Sequence, residues 1–167
     1  MDKITWIKDL VRAEQKMEES GVIDYVTGLN PAELLQSETN EFMNKLKSEF
    51  IDASSSFNQL KGSSVGRVKI YGLSNSTTDF MLFRNGFKLV FIVKESGMVG
   101  IRFHYVGTAF TQPPASDNGQ TAPSDEDILQ ARWGAFGDLV WTFQDQEIKS
   151  DFLVRYYLTR FVRESAK

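Results

Sequence analysis

The chain has 167 residues, of which 41% are hydrophobic and 25% charged, and its formal net charge is −3. That length matches one domain, 1–167, with apolar residues enough to fill a core, so wholesale disorder is excluded. The absence of cysteine and the presence of a single histidine, His104, exclude disulfides, thiolate-bound zinc, thiol catalysis and any cluster of histidine ligands.

The first residues lack the charged stretch and apolar run of a signal peptide. The longest apolar run, residues 89–93, is far short of a membrane span. A cytoplasmic protein is the expectation. The charge is unevenly placed: residues 63–106 carry six basic and two acidic groups, residues 107–151 two basic and eight acidic. This is not the strongly basic footprint of a nucleic-acid binder, and nucleic acid is not an expected partner.

In chain order, Trp6, Ile7, Leu10, Ala13 and Met17 recur at helical spacing and Gly21 stops the helix they define. Residues 22–26 form a short apolar piece leading to a turn at Gly28. The next helix has the clearest start: Asn30 as N-cap, Pro31 at the first helical position and Glu33 in a variant capping box. Its apolar stripe is Leu35, Phe42, Leu46, Phe50, Ala53, Phe57 and Leu60, with Gly62 as the stop. Unbroken, it would be about 45 Å long, roughly twice a typical strand. It therefore either bends at Ser54-Ser55-Ser56 or projects to meet a partner.

Antiparallel strands follow over residues 65–106, in a helical-then-stranded chain that reads as α+β. Residues 68–71 alternate, a turn falls at Asn75-Ser76-Thr77, and residues 80–83 lead into Asn85-Gly86, a strong two-residue hairpin signal. That hairpin pairs Leu82 with Leu89 and Phe80 with Phe91. For the next one, a two-residue turn would set Phe91 against Arg102, whereas a three-residue turn with left-handed Gly97 sets Phe91 against Ile101, Leu89 against Phe103 and Phe87 against Tyr105. The apolar match selects the latter, since a one-residue slip exchanges the faces.

Residues 107–124, with three prolines and few apolar groups, read as a mobile loop. Ser124 and Asp127 resemble a capping box, so a short helix through Ile128, Leu129 and Arg132, ended by Gly134 and Gly137, is expected. Residues 139–143 alternate as a last strand. A C-terminal helix from about Ser150 carries Leu153, Val154, Tyr157, Leu158 and Phe161 on one side, and Arg155, Thr159 and Arg163 on the other. The expected architecture is two N-terminal helices, an antiparallel meander of about five strands, and a C-terminal helix packed on the sheet.

The selected register gathers Met81, Phe83, Lys88, Val90, Ile92, Arg102 and His104 on the face opposite the core. Lys88 and Arg102 are anion-binding groups, and His104 is the one side chain able to act as a base near neutrality. No carboxylate or nucleophile is placed beside it, so the constellation of a catalytic site is lacking. The plainer reading is a sheet face where long basic side chains cover apolar neighbours. Asp125, Glu126 and Asp127 lack the spacing of calcium ligands and suit a helix N-terminus unaided; no metal or cofactor is expected.

Lys88, Arg102, His104, Phe83 and Met81 are accordingly the candidate partner- or ligand-binding residues of a non-catalytic interaction protein, with a partner or a second copy also met by the 30–60 helix. The alternative is a small enzyme or carrier holding an anionic or amphipathic molecule between the sheet and the C-terminal helix.

Overall fold

The computed structural model describes residues 3–21, 31–105 and 126–166. Three helices and one seven-stranded antiparallel sheet make up these residues: α1 (Lys3–Ser20), α2 (Pro31–Lys61), β1 (Lys69–Gly72), β2 (Phe80–Arg84), β3 (Phe87–Glu95), β4 (Met98–Tyr105), β5 (Asp127–Trp133), β6 (Leu139–Phe143), β7 (Gln146–Glu147) and α3 (Ser150–Glu164). Strand order in the sheet is chain order, β1 to β7, so every neighbour is also the next strand in sequence. This is an α+β fold built on a meander.

The hairpins obey their turn chemistry. Asn85 and Gly86 both have positive φ, 51° and 82°, the requirement of a type I′ turn, and Leu82 lies opposite Leu89 with Phe80 opposite Phe91. Gly97, at φ 85°, takes the left-handed position of the three-residue turn, and Phe91 faces Ile101, Leu89 faces Phe103 and Phe87 faces Tyr105. The apolar match selects the observed register.

The expected short helix at residues 125–132 is instead strand β5, which pairs with β4 through Leu129–Val99 and Met98–Gln130 and with β6 through Ala131–Trp141. Gly134 and Gly137 do not break a helix; they form the β5–β6 turn, where the Gly134 amide donates to the Asp138 carbonyl. The sequence here fits either period, and pairing with the exposed edge of β4 decides it. With β7 also formed, the sheet has seven strands rather than about five.

α2 runs without interruption for 31 residues. Its buried side is Thr39, Met43, Leu46, Phe50 and Ser54, with Phe42, Ala53 and Phe57 packed alongside; Leu60 is not part of it and is 88% exposed. At one end the Thr39 hydroxyl accepts the Gly97 amide at 2.8 Å. At the other, Asn58 exchanges two hydrogen bonds with the Val68 backbone, 2.9 and 2.8 Å. The helix does not break at Ser54-Ser55-Ser56. The stretch from Leu35 to Phe57, about 33 Å, matches the nine residues of β3, about 30 Å at the usual strand rise, and the full 31 residues of the helix exceed that length. Its outward positions, such as Gln36, Asn40, Asn44, Asp52 and Ser55, are exposed and polar.

α3 lies beside α2 on the same face of the sheet. Tyr157 meets the rings of Phe91 and Phe103, at 6.1 and 6.4 Å between centroids. Phe50, Phe80 and Phe91 form the centre of the core, with Phe80 and Phe91 stacked at 4.7 Å. Arg84 is buried, and among the described residues no carboxylate pairs with it. Its guanidinium donates to the Gly66 carbonyl at 2.7 Å, the Val162 carbonyl at 2.9 Å and the Ser165 hydroxyl at 3.1 Å, and lies over Phe57. It ties the α2–β1 connection to the end of α3.

The Tyr157 hydroxyl donates to Asp127 at 2.5 Å. Burial, then this carboxylate, holds the phenol proton far above its ordinary pKa of 10.0. The unfolded chain releases that proton near pH 10 and the folded one does not, so this contribution to stability is intact below pH 10 and falls above it. Tyr157→Phe should flatten the alkaline limb of a denaturant-midpoint profile measured from neutrality upward; an unchanged limb would show that other groups set it.

The apolar piece at residues 22–26, the turn at Gly28, the Asn30 cap and the loop at residues 107–124 lie outside the described residues. No helix among the described residues is long and apolar enough to cross a membrane.

Candidate functional site

α2 and α3 both cover the face that presents Phe80, Leu82, Leu89, Phe91, Val99 and Ile101. Side chains alternate along a strand, so the residues between these point the other way. Cross-strand pairing arranges that second face into rows. One row is Lys69, Phe83, Lys88 and His104, across β1, β2, β3 and β4. The adjacent row is Tyr71, Met81, Val90 and Arg102. The five candidate residues Lys88, Arg102, His104, Phe83 and Met81 thus share one face, and their strands set them about 5 Å apart.

Accessibility varies along the rows. Lys69, Tyr71 and His104 are exposed, Met81, Phe83, Lys88 and Arg102 are half-buried, and Val90 is buried. The floor is therefore apolar and its outer groups are cationic and aromatic.

Arg102 stands in a different electrostatic position from Lys88. Glu126 takes an ion pair from Lys94 at 2.6 Å and another from Arg102 at 3.5 Å, with its own side chain only 7% exposed. The carboxylate lies over Gly100, where a Cβ would collide with it. An alanine there would displace the carboxylate, so the glycine makes the space in which these three charges meet. One carboxylate thus serves two cations, Lys94 more closely than Arg102, and the Arg102 Nε is buried without a hydrogen-bond partner among the described residues. Among the described residues no ion pair engages Lys69, Lys88 or His104.

Lys69 and Tyr71 extend the site beyond the five residues expected. The signal that could have found them is the alternation of residues 68–71, but the loop between β1 and β2 has no turn signature that fixes their register. In the sequence Glu126 suits a helix start, and its role depends on residues 127–133 being a strand. Asp127, its neighbour, points to the opposite face and receives the Tyr157 hydroxyl.

The C-terminal helix does not enclose these residues. α3 sits on the far side of the sheet, where Leu153, Val154, Tyr157 and Phe161 fill the space against the core. A chamber between sheet and α3 would be lined by Phe91 and Phe103, not by Lys88, Arg102 and His104. Among the described residues no group of three His, Asp or Glu side chains is placed to hold a metal ion.

The fold and this face together define an α+β meander with helices on one side and a cationic, aromatic row on the other. Comparisons with protein-family models, with curated proteins and with solved structures find nothing that matches the chain.

Proposed function

We propose that the chain is a non-catalytic interaction module, and that the sheet face bearing Lys69, Phe83, Lys88 and His104 receives an acidic, partly apolar protein segment. The observation that supports this reading is the row itself: three cationic or protonatable side chains flank a half-buried phenylalanine, and no described acid is paired with them. Positive groups above an apolar floor favour a partner that supplies both carboxylates and apolar side chains, because each component alone is worth little at a wet surface. A lone imidazole without a placed carboxylate or nucleophile gives no route to a catalytic cycle.

The discriminating variant is Lys69→Glu with Lys88→Glu. Arg102 is left alone, since Arg102→Glu would set a second carboxylate against Glu126 and confound binding with folding. The double variant should keep its melting temperature within a few degrees and lose its partner in pull-downs compared at low and moderate salt, with recovered proteins identified by mass spectrometry. Loss at low salt alone would mean that the lysines only steer encounter. The same partners recovered by both proteins at both salt concentrations would remove this face from consideration.

A further inference from the structure

α1 contributes nothing to the core, which is made from α2, the sheet and α3. Between residues 4 and 20 only Ala13 is buried, and Trp6, Ile7, Leu10 and Val11 are 44 to 57% exposed. At 100° per residue, Trp6, Leu10, Ala13, Met17, Ile7 and Val11 fill one half of the helix circumference. Over residues 4–20 two charged side chains fall inside that half, and both are acids: Glu14 lies between Leu10 and Ile7, Glu18 between Ile7 and Val11. Lys8, Asp9, Arg12, Lys16 and Glu19 fall outside it. Glu14 and Glu18 are exposed, and among the described residues no ion pair engages them. α1 is thus an apolar ridge that turns acidic toward its C-terminal end.

The open sheet face presents the complementary groups in the same order. Along β3, Lys88 belongs to the row with Lys69 and Phe83, Val90 to the row with Met81, and Ile92 comes next. Val90 and Ile92 stand about 7 and 13 Å from Lys88 at the usual strand rise. On α1, Val11 and Ile7 stand about 8 and 14 Å from the midpoint of Glu14 and Glu18. A helix laid along β3 with its C-terminal end at the cationic row sets acid over base and apolar over apolar together. Reversed, it sets the acids over Ile92 and the apolar ridge over the lysines.

The chain's own α1 does not reach this seat. Leu35 and Thr39 of α2 lie against Gly97, nine residues along from Lys88 and so about 30 Å away. The helix runs from Gly97 toward Val68, which puts its start at Pro31 about 12 Å further out. The connection from Ser20 to Pro31, eleven residue steps, spans at most about 36–40 Å fully extended. That is shorter than the path even before it crosses to the other face of the sheet.

We propose that α1 of one copy seats on the sheet face of a second copy and receives that copy's α1 in return. Glu14 and Glu18 then lie over Lys69 and Lys88, with Val11 and Ile7 over Val90 and Ile92. This assignment rests on the role proposed above for that face and names the acidic, partly apolar segment it takes. The exchange is symmetric, so each contact is made twice and the pair closes as a dimer.

Native mass spectrometry and sedimentation of the full chain should show a dimer at micromolar concentration. Lys69→Glu with Lys88→Glu, and separately Glu14→Lys with Glu18→Lys, should each weaken it on the order of tenfold or more at low salt. All four side chains are exposed or half-buried, so both variants should remain folded by circular dichroism. Mixed in equal amounts, the two variants should form a heterodimer, because each offers the charge the other lacks at both contacts. A chain carrying all four changes should again form a homodimer. A monomeric wild type, a variant that dimerises as the wild type does, or a mixture that stays monomeric overturns the assignment. If the wild type is monomeric yet Lys69→Glu with Lys88→Glu loses a partner in pull-downs, the face keeps its role and α1 is not its occupant. A dimer weakened by the Glu14 and Glu18 changes alone overturns both.

Discussion

Phe91→Asp is expected to leave no folded protein at room temperature. Phe91 is fully buried and touches the rings of Phe80, Phe50 and Tyr157, so it joins the sheet to both covering helices. Loss of the ring alone costs about 3–5 kcal/mol. An unpaired carboxylate among these rings adds several more, or takes up a proton at comparable expense. The sum approaches the whole stability of an ordinary domain, about 5–15 kcal/mol. Ile101→Asp, directly opposite in the pair, should behave the same way. Lys88→Ala and His104→Ala, on the other face, should stay within about 1 kcal/mol of the wild type. Far-UV circular dichroism and urea titration separate these outcomes. A folded Ile101→Asp beside an unfolded His104→Ala would place the β3–β4 register one residue away.

Arg84→Ala is the second large effect, expected to cost about 3 kcal/mol. The side chain is 6% exposed and holds three acceptors: the Gly66 and Val162 carbonyls and the Ser165 hydroxyl. Truncation leaves the Gly66 and Val162 carbonyls with only the long contacts of the Lys61 ammonium and the Ser165 hydroxyl, each at 3.4 Å, and removes the cation from the Phe57 ring. Arg84→Lys should recover only a fraction, because an ammonium cannot span the same three acceptors. For a chain of this length the alanine variant should melt about 6–12 °C lower. A shift under about 2 °C by calorimetry would mean that water replaces the guanidinium, and that the end of α3 is held by its apolar side chains.

Register was legible in the sequence where turn chemistry and apolar matching agreed. Asn85-Gly86 and Gly97 set loop lengths, and the alternation of residues 87–93 against residues 99–105 admitted one pairing that kept both faces consistent. β5 was not legible because its residues, from Asp127 to Arg132, satisfy a helical and an alternating pattern alike. What decides between them is the edge of β4, more than twenty residues away in the chain. The length of α2 was legible too, but its course was not, since the usual strand length understates a nine-residue β3.

The candidate face followed from the register, so Lys88, Arg102, His104, Phe83 and Met81 were placed together correctly. Its charge balance did not follow. Glu126 reaches Arg102 only across the β4–β5 pairing, which the ambiguous pattern of residues 127–132 does not reveal. Arg84 was likewise invisible: an arginine next to a hairpin turn gives no sign that two distant carbonyls will close over it.

The strands lengthen from four residues in β1 to nine in β3 and shorten again to two in β7. A sheet that tapers toward both margins exposes few free backbone donors and acceptors on which another strand could grow. Lys69 on the first margin and Glu147 on the last add charge where an incoming strand would have to lie. Concentrated solutions of the folded protein should therefore resist fibrillar self-assembly through the sheet. The hazard passes to the nascent chain, in which residues 87–93 are a low-charge, β-prone run with no proline until both neighbouring strands have paired.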